Sequence, residues 1–248
     1  MNYSNLNYQL MVLAVLIVIV VFFSYTRSFK DDTPSCNGYI TNVYLYVLLG
    51  LLITAFSVLF IAKRRYPITS TKSLLFFAIA IVALFALFMI NPSDVFLNHA
   101  VWLGFIISLS VSLYTIWRYT EYRGTLTSTV IIVFLLVAGL TTIAYVKPEW
   151  IKLSWGTGLT AALLAGILAW LVPMLSANPK LSANPKGMTN YYKGLSAILA
   201  FLFMMLILYD TKLLRIKAQK CTVPDYPTAS LGLFLDIINL FGNISMIR

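Results

Sequence analysis

The chain has 248 residues, of which 60% are hydrophobic and 10% charged. Soluble domains carry about 25% charged residues, so this composition excludes a soluble globular enzyme and a disordered chain. Two cysteines are too few for a disulfide-dense secreted scaffold, and the net charge of +10 comes from Lys and Arg in short stretches between apolar runs, the pattern of membrane topology determinants and not of a nucleic-acid-binding face.

A helix needs about 20 apolar residues to cross a bilayer, with roughly 17 as the lower limit. Segments 8–24, 43–62, 74–90, 100–117, 128–146, 156–175 and 194–209 lack Asp, Glu, Lys, Arg and His, and 227–247 is apolar apart from Asp236. The chain therefore reads as an all-α, multi-pass membrane protein in contact with the lipid bilayer. One histidine, two cysteines and no GxxxxGK[ST], GxGxxG or HExxH pattern argue against zinc chemistry and nucleotide binding.

In chain order, 8–24 comes first. No positive charge precedes it and Arg27 and Lys30 follow it, which predicts a signal anchor with residues 25–42 in the cytoplasm. Strict alternation of eight spans puts Cys36 and Cys221 on one side. On an exoplasmic face they could pair and on a cytoplasmic face they would stay reduced; the simpler expectation is two unrelated loop thiols. Segment 156–175 carries the small-residue row Gly158, Ala162, Gly166 and a second row, Ala161, Ala165, Ala169. Small residues let helices approach closely in lipid, so this span is expected to pack inside the protein. Residues 175–186 duplicate Leu-Ser-Ala-Asn-Pro-Lys in tandem, a loop expansion with Asn-Pro turn chemistry. The loop 175–193 and the 8–24 span are the candidate contact points for protein partners.

Ionisable groups inside a span are functional candidates by default. Asp210 ends the run from Phe201 to Tyr209, before Thr211 and Lys212. Asp236 lies between Leu235 and Ile237, with Asn239 and Asn243 three and seven residues on. That spacing puts the three polar groups on one helical face, expected to line or support a wet cavity. The spans bearing Asp210 and Asp236 are consecutive and can form a hairpin. Two carboxyls that meet there cannot both ionise cheaply, so they would share a proton or, doubly ionised, attract a cation. Calcium suits such oxygens, and Asn239 could add another. An intramembrane aspartyl protease dyad is disfavoured because neither aspartate sits in a Gly-x-Gly-Asp setting, so no enzyme is expected.

Tyr209-Asp-Thr-Lys212 and the stretch Asp225-Tyr-Pro-Thr-Ala-Ser-Leu-Gly-Leu-Phe-Leu-Asp-Ile-Ile-Asn-Leu-Phe241 resemble the C-terminal signature of the transmembrane Bax-inhibitor motif family. Val43-Tyr-Leu-Tyr-Val-Leu-Leu-Gly-Leu-Leu-Ile-Thr-Ala55 is similar to its first core helix. The resemblance covers residues 39–248 and divides the chain into an additional N-terminal anchor and loop, 1–38, and a Bax-inhibitor-like domain, 39–248. It implies a seven-helix bundle plus one additional N-terminal transmembrane helix, with the last helix central or re-entrant. It also implies a pH-sensitive calcium leak in which Asp210 and Asp236 sense protons or cations. No cofactor other than calcium is implied. Members suppress cell death in eukaryotes and some are viral, so the implied location is an internal, ER- or Golgi-like membrane or the internal membrane of a virion. The chain departs from the pattern in its 8–24 span and in lacking buried Arg and Glu in 74–90 and 100–117. Those departures motivate the alternative of a structural or scaffolding protein of a larger assembly, without transport.

Overall fold

The computed structural model describes residues 3–30, 33–175 and 185–248. Among them are eight long helices: α1 (Tyr3–Ser28), α2 (Tyr39–Arg64), α3 (Ser70–Met89), α4 (Val95–Tyr122), α5 (Leu126–Val146), α6 (Trp155–Leu175), α7 (Pro185–Gln219) and α8 (Tyr226–Ile247). Seven are long and apolar enough to cross a membrane, and Trp155–Trp170 of α6 is a shorter apolar helix. Sheet is confined to the antiparallel pair Phe29–Lys30 and Thr33–Pro34 after α1. The fold is thus that of an all-α, multi-pass membrane protein. Helices prevail because each satisfies its own backbone polar groups where no water can.

The helices overrun the apolar segments that announce them. α4 begins at Val95 and takes in Asn98 and His99, so the expectation that the first five spans lack ionisable side chains is corrected. α7 has 35 residues, about 50 Å at 1.5 Å per residue, and carries its basic stretch beyond the ~30 Å hydrocarbon layer. The expected loop 175–193 is shorter, since α7 begins at Pro185 and includes Tyr191, Tyr192 and Lys193. Residues 176–184, most of the duplication, lie outside the described residues. Helix ends follow local chemistry. The Thr69 hydroxyl accepts from the Lys72 N–H at the start of α3, and Gly124 takes the left-handed conformation (φ 68°) in the turn from α4 to α5.

Two compact units divide the chain. One comprises residues 1–119 and 216–234. In it α1 packs along α2, and Val43, Phe105, Ile106 and Phe234 are fully buried. Gly50 admits the Phe234 ring, which a β-carbon at that position would approach to 3.1 Å. The other comprises residues 120–215 and 235–248, with Ala144, Ile151, Ile207 and Leu240 at its core. There Lys212 Nζ donates to the Ile151 carbonyl and Arg215 to the Tyr145 carbonyl at 3.1 Å, tying α7 to the end of α5 and the turn after it.

Cys36 and Cys221 form a disulfide with their Cα atoms 5.9 Å apart. The expectation of two unrelated loop thiols is therefore wrong. Each precedes a helix that starts in the first unit, α2 and α8, and contacts between Tyr39, Asn42 and Tyr226 at the starts of those helices hold the two loops together.

Candidate functional site

The second unit carries the two aspartates. Asp236 on α8 is buried at 6% exposure, and its Oδ2 has no hydrogen-bond partner. Asp210 lies half-buried on α7 in the same unit. A buried carboxyl oxygen without a partner is rare, because the desolvation of that oxygen is uncompensated.

The polar face expected around Asp236 is not formed as such. Asn239 is exposed and its amide donates to the Leu235 carbonyl at 2.8 Å. Asn243, half-buried, donates to the Asn239 carbonyl at 2.8 Å. Each amide N–H therefore turns back on its own helix, the usual alternative for Asn within a helix. Residue 239 also lies about 60° round the helix from 236, enough to leave the buried face.

The small-residue row is corrected as well. Gly158 is exposed with open space where a β-carbon would point, and Ala162 is exposed. Gly166 alone of the three is buried, with the Leu199 side chain of α7 against it. Gly156, which the row omits, admits the Tyr209 ring of α7. A four-residue spacing drifts about 40° per step, so a row of three need not keep one face toward one neighbour. Among the described residues no group of three or more His, Cys, Asp or Glu could hold a metal. Two carboxyls alone fall well short of the six to eight oxygens that calcium takes.

The first unit holds a polar cluster that the sequence did not announce. The Tyr226 hydroxyl donates to the Ser35 carbonyl and accepts from Asn42 Nδ2 at 3.2 Å. Asn42 Nδ2 also reaches the carbonyls of Arg27 and Asn37, at 3.2 and 3.1 Å. The Tyr226 ring stacks on Tyr46, with centroids 5.6 Å apart. Tyr46 Oη lies 2.7 Å from His99 Nε2, and His99 Nδ1 lies 2.7 Å from the Val95 carbonyl. A carbonyl can only accept, so Nδ1 carries the hydrogen, and in the neutral ring Nε2 accepts from Tyr46. Asn98 Nδ2 donates to Asp225 Oδ1 at 2.8 Å. The same oxygen accepts from the Thr228 N–H at 3.1 Å, which makes Asp225 the N-cap of α8. The available signal was two polar residues in tandem, Asn98-His99, directly before an apolar run. Taking His99 as a boundary hid it.

Residues 36–248 match the sequence profile of the family described as inhibitor of apoptosis-promoting Bax1. No curated protein matches the chain in sequence. The matched range takes in both cysteines, α2 to α8 and both aspartates, and it leaves out α1 and the strand pair. The chain belongs to the Bax-inhibitor family of multi-pass membrane proteins, with α1 standing before the matched region.

Proposed function

We propose that the chain is a cation-leak protein of this family, with Asp210 and Asp236 as its proton- and cation-responsive element and calcium as the ion passed. The observation that carries the reading is the buried, partnerless Oδ2 of Asp236, with Asp210 half-buried on the preceding helix of the same unit. Both carboxyls ionised would repel each other in a low-dielectric setting, and either a proton or a passing cation relieves that repulsion. On this reading acid closes the path and ionisation opens it. Suppression of cell death is the physiological role that the family's description suggests. The disulfide supports an orientation with residues 29–38 and 220–225 on an oxidising side of the membrane, opposite to that predicted from the charges after 8–24.

The test is calcium flux into proteoliposomes as pH is varied, with Asp236→Asn and Asp210→Asn beside the wild type. Wild-type flux should fall on acidification, and either substitution should remove that response. A folded wild type that passes no calcium at any pH would sink the reading. A scaffolding role would then stand, supported by α1, whose Tyr8, Met11, Val15, Val18 and Phe22 are exposed for contact with lipid or a partner helix.

A further inference from the structure

Two cavities in the first unit share Phe29 as a lining residue. The upper one, about 320 Å³, is polar and is lined by Thr26, Arg27, Lys30, Ser35, Asn37 and Gly38. The lower one, about 590 Å³, runs between α1, α2 and α4 and is overwhelmingly apolar, with Val21, Leu49, Ile53, Phe96 and Leu103 among its walls. Both volumes fall in the ~300–1,000 Å³ range of ligand pockets. Ser24 and Trp102 also line the lower cavity, each 4% exposed, and neither Ser24 Oγ nor Trp102 Nε1 has a hydrogen-bond partner. His99 and Tyr46, also on the lining, satisfy each other. The unmet demand therefore sits on Ser24 and Trp102, and an indole N–H can only donate. It calls for an oxygen acceptor in an apolar setting.

We propose that these two neighbouring cavities bind one phospholipid. Its phosphate lies against Arg27 and Lys30, its ester oxygens answer Trp102 and Ser24, and one acyl chain fills the space between α1, α2 and α4. The depths fit. Ser24 is four residues from the end of α1 and Trp102 seven from the start of α4, about 6 and 10 Å along the helices, one to two turns below the headgroup-level loop. α1, which lies outside the family match, supplies one side of the lower cavity.

The experiment is native mass spectrometry of the detergent-purified chain with added phosphatidylglycerol, against diacylglycerol of the same acyl chains. Arg27→Ala and Lys30→Ala should each weaken phosphatidylglycerol retention about fivefold. Leu103→Trp, which narrows the lower cavity, should weaken it, and diacylglycerol should be held several-fold more weakly throughout. Melting curves of each variant confirm that it is folded. The proposal is overturned if diacylglycerol is held as well as phosphatidylglycerol, or if folded charge and cavity variants retain the lipid like wild type.

Discussion

Asp225→Ala removes two interactions at one oxygen. The first is the N-cap of α8, where Oδ1 accepts from the Thr228 N–H; losing such a cap costs about 1 kcal/mol. The second is the bond from Asn98, to a charged acceptor, with a net value of roughly 1.5–3 kcal/mol. Asn98 is 2% exposed and its Oδ1 already lacks a partner. Truncating Asp225 leaves its amide with nothing, so the upper part of that range applies. The expected loss is about 3.5–4 kcal/mol, or roughly 7–16 °C in Tm for a chain of this size. Asp225→Asn keeps an oxygen able to cap and to accept, and should cost about 1 kcal/mol. Thermal melts in detergent of Asp225→Ala, Asn98→Leu and the double variant form a cycle whose coupling should exceed ~1.5 kcal/mol. A drop below 2 °C for Asp225→Ala (under about 1 kcal/mol by the same scaling), or a cycle additive to within ~0.5 kcal/mol, would refute the reasoning.

Two further predictions concern covalent and steric constraints. The disulfide closes a sequence separation of 185 residues, so Cys36→Ser should cost up to about 5 kcal/mol by chain entropy; a reductant should lower the wild-type melting temperature to the variant's and leave the variant's unchanged. Gly166→Ala drives a β-carbon into Leu199 and should destabilise by about 1–3 kcal/mol. Gly158→Ala meets open space and should stabilise by up to about 1 kcal/mol through helix propensity; equal effects from the two in the same melting assay would contradict the packing of α6 on α7.

Spans were legible because an apolar run long enough to cross lipid has few other uses. Their ends were not, because a helix continues through polar residues wherever its backbone bonds remain better than water's, as at Asn98-His99 and from Lys212 to Lys217. Asp236 stood out as a carboxyl in an apolar run, and its burial follows from that setting. The contacts of Asn42 with Tyr226 did not stand out. They join residues 184 apart, and a polar residue near a span end looks like an interfacial one. Residue spacing fixes where a side chain lies on its own helix and not which neighbour it meets. That is why the Gly158 row, Asn239 and Asn243 read one way in sequence and fall another way in the fold.

The disulfide also sets a clock on biosynthesis. Cys36 emerges 185 residues before Cys221, which at ~5–20 residues per second is about 10–40 s of translation. Throughout that interval Cys36 has no native partner, and the helices α2 to α7 must be made before one arrives. The lock therefore closes only when the stretch leading into α8 is made, so the first loop reports on completion of the last. A chain stalled before Cys221 carries a free thiol at Cys36 and is open to mixed disulfides with oxidoreductases, which makes the bond a mark of finished assembly as well as a brace.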